Sequence, residues 1–447
     1  MHQKSKKIAK VVTFGCQMNE RDSETISGFL VASGYELDHN TEDPDLVIFI
    51  TCCVRENAEN RAFGNLGYMK HYKETNPNTI IGICGCMVQQ SSILDHIKNN
   101  MKFVDLVFGT HNIHRLPELL ARVHEGHRAI EVLDESDGIH EGMPAVRVSN
   151  TKAYVNIMYG CDNFCTYCIV PYVRGRERSR VVSSIIQECR ELAEAGFCEI
   201  TLLGQNVNSY GKNLVQNDND IIDFSYLLKQ VDKVDGIKRI RYATSHPKDF
   251  SQKLIDTVRE SSKIANNFHL PFQAGSDRIL RAMNRGYTAE QYMDIIERLR
   301  ESMPNCAVTT DILVGFPGES DDDFARTMDL VKAVRFDSAF TFIYSRREGT
   351  KAYDMDNQVP EEVKHERIKV LIETQNSINL EKNQEALGKT VEVMVEGPSE
   401  RDSSVYAGRS LENKMVHWTP RTACNEGDIV NVKVNEANIW TLIGEEI

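Results

Sequence analysis

The stretch Gly160-Cys161-Asp162-Asn163-Phe164-Cys165-Thr166-Tyr167-Cys168 sets three cysteines in a C-x3-C-x2-C spacing. It lies between an alternating apolar stretch, from Ala153 to Met158, and a basic run, from Tyr172 to Arg180. A loop this short can turn three thiolates to one point. Thiolates are soft ligands that suit iron–sulfur clusters or zinc. No fourth Cys or His stands close by. A structural zinc site takes four protein ligands, whereas a cubane held by three leaves one iron open. The alternatives are a zinc ribbon short of one ligand, or reduced thiols that cluster by chance.

Downstream of the loop, apolar and helical stretches alternate. Strands are expected at 154–158, 199–203, 239–243, 268–271, 308–313 and 339–344, with helices between them, for example at 183–195 and 289–302. Six such units predict an incomplete (β/α)6 barrel, whose active groups sit at the carboxyl ends of the strands. Gly204-Gln205-Asn206, Ser245-His246-Pro247, Gln273 and Gly315-Phe316-Pro317-Gly318-Glu319 all fall at such ends. Each is also ordinary turn chemistry. His246 and His269 read as structural histidines.

Upstream, strands are expected at 10–14, 46–50, 79–83 and 103–108, and helices at 22–32, 55–71 and 91–98. The alternation predicts a parallel α/β sheet. Cys16, Cys52 and Cys86 follow three successive strands, 36 and 34 residues apart. A parallel topology brings them to one sheet edge, where ligands collect, so a second three-cysteine cluster is expected there. Cys84 reads as a core thiol. Spacing alone barely separates Cys52 from Cys53, and all of these could be buried structural thiols. An acidic segment with Gly138, Gly142 and Pro144 reads as a surface linker.

The expected domains are 1–147, 148–384 and 385–447. The last shows short alternating strands at 390–395, 404–409, 415–418 and 429–434, a small antiparallel β-barrel. Composition is that of an ordinary globular protein. The basic start shows no signal-peptide pattern, and no apolar run reaches membrane-span length. Twelve cysteines without a secretion signal point to a reducing cytoplasm and to ligands, not disulfides. Net charge is −13, which weakens any reading of broad nucleic-acid binding and leaves a local basic patch as the route to such a partner. Arg174, Arg176, Arg178 and Arg180 make such a patch, since guanidinium forks suit phosphate. A solvated face paired with Glu177 is the plainer reading. Arg346 and Arg347 could extend the patch.

The cysteine loop resembles that of the radical S-adenosylmethionine (SAM) enzymes, and Tyr167 before the third Cys fits their pattern. The resemblance implies a 4Fe-4S cluster on Cys161, Cys165 and Cys168 whose open iron is chelated by SAM. It also implies SAM contacts near Tyr167, Gly204, Gln205, Ser245, Gln273, Gly315 and Pro317. Gly15-Cys16-Gln17-Met18-Asn19 with Asp22-Ser23-Glu24, then Thr51-Cys52-Cys53-Val54-Arg55-Glu56, then Gly85-Cys86, resemble the methylthiotransferase family. That family holds an auxiliary 4Fe-4S cluster on positions matching Cys16, Cys52 and Cys86. Ile50 departs from the family's usual Asn without touching the ligand set. Cys168-Ile169-Val170-Pro171 and the arginine run resemble the tRNA-modifying branch.

What the resemblance implies is methylthiolation at carbon 2 of an isopentenylated adenosine at tRNA position 37, beside the anticodon. Two SAM molecules per turnover serve as methyl donor and radical source, and no catalytic group is expected beyond the cluster ligands. The alternatives are methylthiolation of threonylcarbamoyl-adenosine or of a ribosomal-protein Asp, and a non-catalytic, metal-stabilised RNA-binding protein. The C-terminal piece resembles the TRAM domain, although it carries six basic against ten acidic residues from Lys389 onward. RNA contact there is expected from Tyr406, Arg409, Lys414 and Trp418. Expected partners are the tRNA anticodon stem-loop, an electron donor such as flavodoxin or ferredoxin, and cluster- or sulfur-supplying proteins. A cytoplasmic monomer is expected.

Overall fold

The computed structural model describes residues 7–53, 56–136, 138–216 and 221–447. The expected basic start at Met1, and Val54-Arg55 in the second cysteine motif, where the second helix was expected to begin, lie outside the described residues. The chain divides into two units: Met1–Ser149 with Met158–Asp162 and Cys168–Arg180, and Asn150–Ile157 with Asn163–Tyr167 and Val181–Ile447.

In the first unit, a six-stranded parallel sheet runs in the order Tyr35–Leu37, Lys7–Thr13, Leu46–Thr51, Ile80–Gly85, Leu106–Phe108, Ala129–Glu131. Leu46–Thr51 and Ile80–Gly85 are buried at every position. Their apolar runs do not alternate because both sheet faces are covered. Ala9, Ile48 and Ile50 pack with Ile26 and Leu30 of helix Gln17–Ala32. Phe49, Ile81 and Ile83 join the other core with Leu66 and Met69 of helix Glu56–Thr75. The strand order reverses between Lys7–Thr13 and Leu46–Thr51. In open α/β sheets that switch point is where a crevice opens at the carboxyl ends. Cys16 and Cys52 leave the two strands that flank it. The short strands Tyr35–Leu37 and Ala129–Glu131 were not expected from the sequence.

The second unit carries six parallel strands in two three-stranded sheets. Lys152–Asn156, Glu199–Leu203 and Arg239–Tyr242 form one, and Asn267–His269, Ala307–Val314 and Ser338–Ile343 the other. The bridge from Ile240 to Ile264 and the bond from Ser245 N to His269 O at 3.2 Å carry pairing across from one to the other. The expected incomplete barrel is present.

The C-terminal strands close a five-stranded barrel in the order Thr390–Pro398, Tyr406–Ser410, Met415–Thr419, Thr441–Glu446, Ile429–Ala437. It is not wholly antiparallel. Met415–Thr419 pairs in parallel with Thr441–Glu446, a fifth strand not expected from the sequence. The barrel docks through buried arginines: Arg239 donates to Arg409 O at 2.9 Å and to Glu392 at 2.8 Å, and Arg241 to Ser410 O at 3.1 Å. Among the described residues, no helix is long and apolar enough to cross a membrane.

Candidate metal centre and cofactor site

Cys16 is the N-cap of helix Gln17–Ala32. Its thiol is held down at about 6, first by a hydrogen bond from Cys52, against the upward pull of desolvation. The charge of Arg174 and the N–H groups of Asn19 and Met18 at the helix start act in the same direction. Cys86 opens the 3-10 turn Met87–Gln89 after its strand. Its thiol is also held below the usual range, first by a hydrogen bond from Cys53, against burial, then by Arg174. The fold therefore gathers Cys16, Cys52 and Cys86 at one sheet edge, and Cys53 beside them. Cys84 sits in the core, and burial pushes its thiol well up.

Among the described residues, no group of three or more His, Cys, Asp or Glu side chains could share one metal ion. The donor chemistry fits: two thiols are biased toward thiolate, and a cation stands beside them.

Within the first unit, Gly160 approaches the backbone so closely that a Cβ would lie 2.1 Å from Arg176 O, at φ +78°. Cys161 N donates to Gly175 O at 3.1 Å. Within the second unit, residues 163–167 are pinned by a segment that sequence reading missed. Thr166 N donates to Met283 O at 3.0 Å, and Thr166 Oγ1 to Ala282 O at 2.9 Å. Asn284 Nδ2 donates to the carbonyls of Asn163 and Phe164 at 3.0 and 3.1 Å. Arg285 donates from Nη1 to Cys165 Sγ at 3.3 Å and from Nη2 to Pro271 O at 2.7 Å. Burial alone would lower the pKa of Arg285, but Tyr287, Tyr167 and Cys165 hold it well above its ordinary value. Tyr167 meets Phe316 edge to face. Phe316 lies between Gly315 and Pro317, which are buried as well.

The strand-end residues fall into two kinds. Gly315 N–H is taken by the Glu319 carboxylate at 3.1 Å, and Glu319 is held by Arg367 at 2.8 Å. Gln273, at φ +68°, is fixed by backbone bonds to Asp311 and Leu313. Those positions are occupied by the fold's own bonds. The ends of the second and third strands differ. Ser245 Oγ donates to Asn208 Oδ1 at 2.9 Å, and His246 N to Asn206 Oδ1 at 3.1 Å. Gln205 Oε1, Asn208 Nδ2 and His246 Nε2 are buried with no hydrogen-bond partner. His246 Nδ1 accepts from Lys248 N, and burial keeps the ring neutral, so Nε2 carries the proton. Buried polar atoms are normally paired, so two donors and an acceptor here suit a polar cofactor. Gly204 is buried next to them.

The arginine run is not a uniform phosphate patch. Arg174 is buried and faces Asp22, Asn19 and Cys86. Arg180 is buried against Glu141 at 2.5 Å. Arg178 is half-buried beside His111. Only Arg176 of the four is largely exposed, and it pairs with Asp162 at 2.7 Å. A buried guanidinium in an ion pair cannot reach RNA, so Arg174 and Arg180 are withdrawn from that reading. Arg346 is exposed and lies over Tyr353, while Arg347 is half-buried. Arg409 is partly exposed beside Glu396. Lys414 instead binds Asn383 at 3.0 Å and Asp337 at 3.3 Å, fastening the C-terminal barrel. Trp418 is 1% exposed in that barrel's core, where no base could stack on it. Tyr406 packs against it, half-buried.

Two family models match. Residues 155–331 match the radical SAM superfamily, and residues 8–109 match a family described as uncharacterized protein family UPF0004. The tRNA-2-methylthio-N(6)-dimethylallyladenosine synthase of Alkaliphilus oremlandii is 53% identical over 98% of this chain and 92% of its own. Its namesake from Clostridium perfringens is 51% identical over 98% of both chains. Among solved structures, a radical S-adenosylmethionine methyltransferase from Kitasatospora setae aligns with TM-score 0.55 at 14% identity, covering 78% of this chain and 77% of its own. That likeness concerns the fold.

Proposed function

The chain belongs to the tRNA-2-methylthio-N(6)-dimethylallyladenosine synthase family of radical SAM methylthiotransferases, and from that premise we propose how its residues divide the work. Its substrate is the isopentenylated (dimethylallyl) adenosine at tRNA position 37, and its cofactors are 4Fe-4S clusters and SAM. The names of its relatives favour this substrate over threonylcarbamoyl-adenosine and over a ribosomal-protein Asp. They also weigh against a non-catalytic RNA-binding protein.

Cys161, Cys165 and Cys168 hold the radical cluster, and Cys16, Cys52 and Cys86 the auxiliary one. Bound there, clusters and SAM supply the radical, sulfur and methyl chemistry that an unactivated adenine C–H demands. The chain's own groups bind and orient. Gln205, Asn208 and His246, beside Gly204 and Ser245, offer SAM two donors and an acceptor, and Tyr167 on Phe316 shapes the loop next to it. Gln273, Gly315 and Pro317 shape the cofactor edge with their backbone. For the base, the strands offer His269, whose Nδ1 stands 3.0 Å from Thr309 Oγ1 and Nε2 3.4 Å from Asp311. Phe340 lies against His269 and is 54% exposed, an apolar surface suited to the isopentenyl group.

Arg176, Arg178, Arg346, Arg347 and Arg409 are the proposed phosphate contacts on the anticodon stem-loop. The proposed functional parts are 1–147, 148–384 and 385–447. The protein works as a cytoplasmic monomer with a flavodoxin- or ferredoxin-type electron donor and proteins that renew cluster and sulfur.

The observation that carries the two-cluster reading is the convergence of Cys16, Cys52 and Cys86 across the switch point of the sheet. Anaerobic iron and sulfide analysis tests it. Wild-type protein should hold about eight irons, and a Cys161/Cys165/Cys168 triple-Ala variant about four. A triple variant without iron would make the N-terminal cysteines merely structural.

A further inference from the structure

The basic run predicts a phosphate contact for Arg174, yet the fold gives this side chain another use. Its side chain is 6% exposed in the first unit. Nε donates to Cys86 Sγ at 3.2 Å, and Nη2 donates to Asn19 Oδ1 at 2.7 Å. Nη2 also stands 2.7 Å from Asp22 Oδ2. The Asn19 amide cannot turn, because its Nδ2 donates to Phe14 O at 2.7 Å and to Thr51 O at 3.0 Å. Those carbonyls lie at the ends of the strands that lead to Cys16 and Cys52. The side chain is thus aimed by the same backbone that places the cysteines.

The main chain that delivers Arg174 is clamped as well. Arg174 follows the short helix Val170–Val173. Ile169 and Val173 pack on Cys53 and Cys86. Val173 O accepts from Thr110 Oγ1 at 2.8 Å, and Arg174 N donates to Val170 O at 2.8 Å. A buried cation with one N–H on a ligand sulfur is more than the fold needs, since Asp22 and Asn19 alone would satisfy an anchoring arginine.

We propose that Arg174 is a positioning residue of the auxiliary cluster that raises its reduction potential, through the Nε–H bond to Cys86 sulfur and through its buried charge. The proposal rests on the auxiliary-cluster reading above. Reduction adds one electron, and so one negative charge, to a cluster. Hydrogen bonds to ligand sulfur and a nearby cation favour that state. An arginine that only held the fold would leave the potential unmoved.

The test uses the full chain carrying Cys161→Ala, Cys165→Ala and Cys168→Ala, reconstituted anaerobically so that one cluster remains. Iron and sulfide are measured first. About four irons per chain establish the auxiliary cluster, whereas no iron removes that reading and this proposal together. The midpoint potential is then read by an EPR-monitored redox titration in two further variants. One is Arg174→Lys, which keeps charge without the Nε donor. The other combines Arg174→Gln with Asp22→Asn, which removes cation and counter-charge together. The double variant should keep its iron and titrate at a lower potential than the parent, with the Lys variant between them. If only the double variant fails to hold iron, a lowered potential in the Lys variant is the expected result. An unchanged potential at full iron content would overturn the proposal, as would loss of iron in both variants.

Discussion

Cys16 is exposed, yet its thiol is held at about 6, and that combination makes it a reactive thiol in the iron-free chain. The hydrogen bond from Cys52 comes first among the causes, and desolvation opposes it. A lowered pKa means that the thiolate persists as pH falls, down to that value. Alkylation of iron-free protein by iodoacetamide, followed at Cys16 by peptide mass spectrometry, should therefore be half-maximal near pH 6, against about 8.5 for an ordinary thiol. Half-maximal labelling above pH 8 would show that the Cys52 bond does not form in solution. The gathering of cysteines at one edge was legible in the sequence because strand–helix units of similar length return each one there, although spacing did not separate Cys52 from Cys53. Arg174 was not legible. A charged side chain in a basic run reads as solvated by default. Only tertiary structure shows Asp22 and Asn19, from a helix far upstream, enclosing it.

At the scale of elements, Trp418 shows where sequence pattern misleads. An aromatic in a short strand of an RNA-binding type of domain invites a stacking role, but the inward face of a small barrel needs a large side chain to fill it. Trp418 packs with Val393, Val395, Val416, Val432, Val434 and Leu442. Trp418→Ala should cost about 3–5 kcal/mol in denaturant unfolding of the second unit. Trp440, 62% exposed, is the control, and Trp440→Ala should stay within about 0.5 kcal/mol. Equal effects from the two would refute the core assignment. The long strands were legible as apolar runs because both faces are buried. Thr441–Glu446 was not, since a strand of mixed polarity near a chain end carries no period strong enough to separate it from a tail. Its parallel pairing with Met415–Thr419 is a long-range choice that no local pattern encodes. The segment 282–285, which pins the middle of the cysteine loop, is legible only through the bonds it makes.

Over the whole molecule, a net charge of −13 has to be reconciled with a tRNA substrate. A net negative charge argues against binding nucleic acid through a broad field, so affinity is expected to rest on a few local phosphate contacts and on recognition of the modified base. The structure narrows the cationic set further by burying Arg174 and Arg180 and by tying the partly buried Lys414 to Asp337. Arg176, Arg346 and Arg409 remain partly or largely open, with Arg178 and Arg347 half-buried. Each phosphate contact to unpaired RNA contributes about −0.7 to the slope of log K against log salt. Three to five contacts then predict a slope of roughly −2 to −3.5 for an isopentenylated anticodon stem-loop, measured by fluorescence anisotropy under anaerobic conditions. Arg346→Ala should make that slope shallower by about one contact's share and weaken binding alike for loops with and without the isopentenyl group. Phe340→Ala should leave the slope unchanged and reduce the preference for the isopentenylated loop. A slope near −8 would require many more phosphate contacts than these arginines supply, and would show that they are not the main cationic contacts to the tRNA.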